Sequence, residues 1–168
     1  MSEEMKNETG QYLTYKLADE IFALDIAKVR EVLDFTSITK VPQTPAYMCG
    51  VINLRGSVVP VSDMRLKFGM DKTEQTVNTC IIITEIQLEN ETTVLGALAD
   101  SVQEVLNLGA GQIEPPPKIG TGLNTDFIKG MGKQEDQFII ILDIDKVFSA
   151  DELALTQLAA GQSEAEAV

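Results

Sequence analysis

The chain repeats itself faintly, and that repeat limits what it can fold into. Arg30-Glu31-Val32-Leu33 returns as Gln103-Glu104-Val105-Leu106, an offset of 73, and Ile38 with Pro42 is echoed by Ile113 with Pro117. Tyr47, Gly50, Asp63 and Phe68 then return as Phe127, Gly130, Asp143 and Phe148, all at an offset of 80. The change of offset fits one insertion near the glycine-rich loop Gly120–Asn124. Matches that keep their order along a chain point to two related units packed together, roughly residues 10–70 and 78–148.

Both units read as β. Leu13, Tyr15 and Leu17 alternate with Tyr12, Thr14 and Lys16, the two-residue period of a strand. Ala18-Asp19-Glu20 turns it, and Ile21 to Asp25 runs back. Asp25 is suited to cap a short helix with Ile26, Val29 and Leu33 on one face. Thr39 to Pro45 is an extended connector, and Asp71 to Asn78 is a polar linker. Cys80 to Leu88 and Thr92 to Ala99 pair across Glu89-Asn90-Glu91, and Phe138 to Ile144 is a further strand. Each half offers about five strands, enough for a small barrel, and the halves could exchange strands. Ser149 with Glu152 forms a capping box for a C-terminal helix carrying Leu155, Leu158 and Ala159. Residues 1–9 and 162–168 are expected to be flexible tails around a single domain at 10–160.

Composition removes whole classes of chemistry. The 168 residues include no histidine, so Ser-His-Asp and Cys-His catalysis, histidine-ligated metals and a phosphohistidine relay are all unavailable. A net charge of −13 argues against a phosphate-backbone partner. Cys49 and Cys80 lack C-x-x-C spacing and read as two buried free thiols. Neither a P-loop nor a convergent acid–base pair is present; Asp63 and Asp143 sit at equivalent repeat positions and read as turn or cap residues. The acidic N-terminus resembles neither a signal nor a transit peptide, and no window is apolar enough for a spanning helix, so a cytoplasmic protein is expected.

The second unusual feature is the run Gly50 to Asp63, nearly all strand formers with Arg55 at its centre, directly before Gly56. An arginine between Val51-Ile52-Asn53-Leu54 and Val58-Val59-Pro60-Val61 presents a planar cation at the tip of an apolar hairpin. It must face water, an internal carboxylate or a partner's carboxylate. Asn53 shares a strand face with Arg55 if alternation holds, or it holds the turn; Gly50 and Gly56 meet backbone demands. The second half has Lys133-Gln134-Glu135-Asp136 where the first has its arginine tip. That asymmetry favours a binding role for Arg55 over a folding requirement common to both halves.

These residues resemble the CheW-type chemotaxis coupling proteins. The matching elements are Ile21 to Ile26 with Val29 and Glu31, Val41-Pro42 with Pro45, Gly50 to Gly56, Val59-Pro60-Val61 and Asp63. Gly96, Asp100, Val102, Val105 and Phe127-Ile128-Lys129-Gly130 continue the match into the second half. The resemblance implies an all-β fold of two SH3-like five-stranded β-barrels packed together, with short helices and a C-terminal helix. It implies a non-enzymatic adaptor without cofactor or metal, joining chemoreceptor cytoplasmic tips to the regulatory domain of a chemotaxis histidine kinase. It also implies recruitment to receptor arrays at the inner membrane without insertion. Arg55, Val29, Glu31, Asn53 and Val105 are the receptor-binding residues it suggests, with Gly50 and Gly56 structural. The kinase-binding surface is not assigned. The same adaptor could serve a non-flagellar array, and the rival from another class is a small β-barrel enzyme using carboxylates or Cys49.

Overall fold

The computed structural model describes residues 10–88, 91–115 and 127–147. The Gly120 loop, the helix expected after Ser149 and both tails lie outside the described residues. The first strands are β1 (Gly10–Leu17), β2 (Glu20–Asp25) and β3 (Val29–Asp34), with a single 3-10 turn at Ile26–Lys28 before β3. There follow β4 (Met48–Leu54), β5 (Ser57–Asp63), the short helix α1 (Met64–Lys67), β6 (Cys80–Leu88) and β7 (Glu91–Ala99). The chain continues with β8 (Ser101–Leu108), β9 (Ile113–Glu114), β10 (Ile128–Gln134), β11 (Gln137–Leu142) and α2 (Ile144–Val147).

The strands form two sheets, and the chain passes between them twice. One sheet runs β8-β1-β2-β11-β10-β9 and the other β3-β6-β7-β5-β4. The sheets therefore do not follow the halves of the sequence. β3 to β7 form one barrel, while β1 and β2 join β8 to β11 in the other. The crossovers lie at Ile26–Lys28, between β2 and β3, and at Asp100, between β7 and β8. The fold is all-β, two SH3-like units face to face.

The repeat is physical as well as textual. In one barrel Gly50 pairs with Val61 beside a bulge, and in the other Gly130 pairs with Ile141 beside a bulge at the same place. Asp63 N–H donates to the Tyr47 carbonyl at 2.6 Å, and Asp143 N–H donates to the Phe127 carbonyl at 2.8 Å. Both pairs keep the 80-residue offset.

Three apolar layers explain why several strands lack clean alternation. Ile81, Ile83, Val61, Ile52 and Leu98 fill the β3–β7 barrel. Tyr12, Ala23, Leu108, Ile139 and Ile141 fill the other. Between the sheets, Leu13, Tyr15, Leu17, Phe22, Leu24, Ile82, Ile86 and Ala97 form a common core with Met64, Ile144 and Val147. A strand between two cores is buried on both faces, so Cys80 to Thr84 reads as an unbroken apolar run, and Tyr12 and Thr14 are buried beside Leu13 and Tyr15. A ladder of stacked rings, Tyr15–Phe22–Phe68–Phe127, runs through this junction at centroid spacings of 6.1, 5.7 and 5.1 Å.

One expectation is corrected. Ile26, Val29 and Leu33 do not share a helix face, because helical structure there is one turn, with Asp25 Oδ1 accepting from Ala27 N–H at 2.9 Å. From Val29 onward the chain is a strand, so Val29 and Glu31 lie on β3. Val32 and Leu33 pair across to Ile82 and Ile81 of β6. Those cross-strand partners favour β-branched and bulky side chains, and they outweigh the local helical spacing.

Candidate functional site

The tip of the β4–β5 hairpin is a two-residue turn, Arg55-Gly56, closed by the Leu54–Ser57 pair. Both residues have positive φ, +51° and +89°, the type I′ signature whose twist suits a hairpin. Gly56 adopts this freely, whereas Arg55 is strained there. Asn53 offsets part of the strain, since its Oδ1 accepts the Gly56 N–H at 2.8 Å. Asn53 thus holds the turn beside Arg55. Gly50 is equally constrained: at φ +147° it lies against the connector, where a Cβ would collide with the Thr39 carbonyl. The same crossing point carries paired backbone bonds between Thr39 and Val51, at 2.8 and 2.9 Å.

Arg55 reaches across the barrel seam. β3 and β4 are the two edges of their sheet, yet the Arg55 guanidinium meets Glu31 of β3 in a two-pronged contact, with Nη1 at 3.3 Å from Oε1 and Nη2 on Oε2. The guanidinium side chain is 69% exposed and the Glu31 side chain 29%. The hydrogen bond and charge of Glu31 hold Arg55 still more firmly in its cationic form. So exposed a pair adds little to stability. Its effect is directional: Glu31 pins a planar fork at the surface with edges still open to solvent.

The other expected site residues divide between the sheets. Val29 begins β3, half-buried against the common core, two residues from Glu31. Val105 is 47% exposed on β8, an edge strand of the other sheet. The structure thus brings Arg55, Glu31 and Asn53 together, sets Val29 on the same strand as Glu31, and leaves Val105 on the opposite barrel.

Besides Val105, three large apolar residues are exposed among the described residues: Val77 in the polar linker, and Val32 and Phe138 on strands. Val32, the repeat counterpart of Val105, is exposed beside Glu31. Phe138, 52% exposed near the β10–β11 turn, is the counterpart of Val58. Comparing the halves position by position would have brought out both strand residues, as the counterparts of Val105 and Val58.

Burial raises the pKa of both thiols, which disfavours the thiolate. Cys80 is buried and Cys49 half-buried, and neither forms a disulfide. Cys49 lines a cavity of about 620 Å³ with Phe35, Val41 and Lys72. Burial, followed by the Asp63 carboxylate, pushes its pKa up to about 12 against the weaker pull of Lys72. A thiol that keeps its proton is a poor nucleophile. Among the described residues no helix is long and apolar enough to cross a membrane.

Two SH3-like barrels on a common core, with an arginine tip pinned to Glu31, define the class: an all-β double-barrel protein. The chain belongs to the CheW-like domain family, whose profile matches residues 11–152. It is 35% identical over 145 residues to the chemotaxis protein CheW of Klebsiella aerogenes, covering 86% of this chain and 85% of that one. To the chemotaxis protein CheW of Rhizobium meliloti it is 32% identical over 151 residues, covering 90% and 95%. The crystal structure of the scaffolding protein TtCheW from Thermoanaerobacter tengcongensis superposes with a TM-score of 0.74 at 37% identity. That match covers 86% of this chain and 95% of the other.

Proposed function

We propose that this chain is a non-enzymatic chemotaxis scaffold coupling chemoreceptor cytoplasmic tips to a histidine kinase in a membrane-associated array. The observation that carries this reading is the Arg55–Glu31 fork, held by Asn53 on an exposed hairpin of a CheW-like fold. Receptor tips are helical hairpins rich in carboxylates and amides, and a fixed guanidinium edge suits both groups. Val29 and Glu31 on β3, and Val105 on β8, extend the receptor surface with an apolar component. Function is then a matter of equilibrium binding: holding receptor and kinase together lets a conformational bias in one shift the population of the other.

The test is co-sedimentation with a receptor cytoplasmic fragment, with and without the kinase. Arg55→Glu is expected to weaken receptor binding by about tenfold or more, because it sets two like charges side by side at the tip. Its melting temperature should stay close to that of the parent, since the pair is solvent-exposed. A folded Arg55→Glu protein with undiminished receptor binding would overturn this assignment.

A further inference from the structure

The chain leaves one barrel for the other at two points, and each crossing is tied by an ion pair to the short helix that ends a hairpin. At the first crossing, Lys28 Nζ donates to Asp145 Oδ2 of α2 at 2.7 Å. The other oxygen of Asp145 accepts the N–H of Gln87 on β6 at 2.8 Å. At the second crossing, Asp100 faces Arg65 of α1, with Nη1 at 3.6 Å from Oδ1. Its Oδ2 accepts the N–H of Ala18, in the β1–β2 turn, at 2.6 Å. All four charged side chains are partly buried.

The two arrangements follow the repeat but with charges exchanged. Arg65 and Asp145 are 80 residues apart, the offset of their whole half, and each is the second residue of its helix. At one junction the helix supplies the cation and the crossing the carboxylate; at the other the helix supplies the carboxylate and the crossing the cation. Each carboxylate also accepts a backbone N–H from a β-hairpin. Each crossing leads directly into an edge strand, Lys28 into β3 and Asp100 into β8.

We infer that the Lys28–Asp145 and Arg65–Asp100 pairs are straps that set how the edge strands β3 and β8 are presented, making these four residues positioning residues of the binding surface. The inference rests on the receptor-binding reading above, because β3 carries Val29 and Glu31 while β8 carries Val105. A partner touching both strands meets two barrels joined covalently through short crossings and otherwise by apolar packing. Apolar packing is non-directional and tolerates small rotations, whereas the Lys28–Asp145 hydrogen bond fixes distance and angle, and Asp100, held by the Ala18 N–H, faces Arg65 as a charge contact at 3.6 Å. The straps therefore supply the direction that the common core lacks.

The experiment has two arms on the full chain. In the first, amide hydrogen exchange of the free protein is compared with Lys28→Met, Asp145→Asn and Arg65→Met. Exchange in 29–34 is expected to rise about tenfold or more in the first two variants, and in 101–108 in the third, with β6 and β11 unchanged. Asp145→Asn is nearly isosteric and keeps an acceptor for Gln87, so it stands in if Lys28→Met fails to fold. In the second arm, receptor-fragment affinity should fall about fivefold in each single variant. Lys28→Arg, which keeps the cation and leaves Asp145 free to accept from Gln87, should retain most of the parent affinity, whereas Lys28→Met should not. Unchanged exchange in β3 and β8, or receptor affinity that Lys28→Met and Asp145→Asn leave at the parent level, would overturn the straps. Raised exchange in the variants, together with a parent protein that binds no receptor fragment, would instead leave the straps standing and sink the receptor reading.

Discussion

Asp63 and Asp143 hold the same place in the repeat and should differ sharply when removed. Asp63 is buried at the end of β5. Its Oδ1 accepts the Arg65 N–H at 3.0 Å and the Thr73 hydroxyl at 2.7 Å, and its Oδ2 accepts the Thr73 N–H at 2.9 Å. One carboxylate thus caps α1 and fastens the connector between α1 and β6. Asp143 is half-buried; its carboxylate accepts the Asp145 N–H at 3.2 Å and faces Lys146 Nζ at 3.9 Å. Each buried donor left without an acceptor costs about 1–3 kcal/mol. Asp63→Ala strands both donors of Thr73 and uncaps α1, so a loss of about 3 kcal/mol is expected after allowing for relief of the buried charge. Asp143→Ala loses a cap alone, at about 1 kcal/mol. Urea unfolding followed by circular dichroism separates the two. With a slope of about 2 kcal/mol per molar, the midpoints fall by about 1.5 M and 0.5 M. Equal shifts, or a loss below about 1 kcal/mol for Asp63→Ala, would refute the view that this carboxylate holds the connector.

Gly50→Ala drives a Cβ into the Thr39 carbonyl at φ +147° and is expected to cost more than about 3 kcal/mol, or to prevent folding, in a thermal melt. Gly56→Ala meets open space, so its cost should stay near the 1–2 kcal/mol of a left-handed residue. Phe68→Ala empties the middle of the ring ladder between Phe22 and Phe127 and should cost about 3 kcal/mol in the same assay. Cys49, whose pKa burial pushes up to about 12, should be alkylated by iodoacetamide at pH 8 at least about tenfold more slowly in the folded than in the unfolded chain. Because the folded thiol holds its proton more tightly, the linked stability is complete below pH 9 and is lost as pH rises toward 12; Cys49→Ala should flatten that decline in urea midpoints.

Much of this protein is written in local patterns. Strand periods, turn residues and the 73- and 80-residue echoes announce an all-β protein of two related units. Arg55 between two apolar runs announces a cationic tip, because a hairpin turn is a short-range object. The Asn53 cap and the Asp25, Asp63 and Asp143 turns belong to the same category, each linking residues within three positions. Pairing between distant segments is another matter. That β3 pairs with β6, in the sheet opposite β1 and β2, depends on partners some 50 residues away, and no local signal distinguishes a strand from a helix over Ile26 to Leu33. The tertiary fold also supplied the internal carboxylate that Arg55 meets. Glu31 stands at the opposite edge of the same sheet, and only closure of the barrel brings that carboxylate to the guanidinium. The crossed straps exist for the same reason: charges 117 and 35 residues apart meet because two barrels pack on one core.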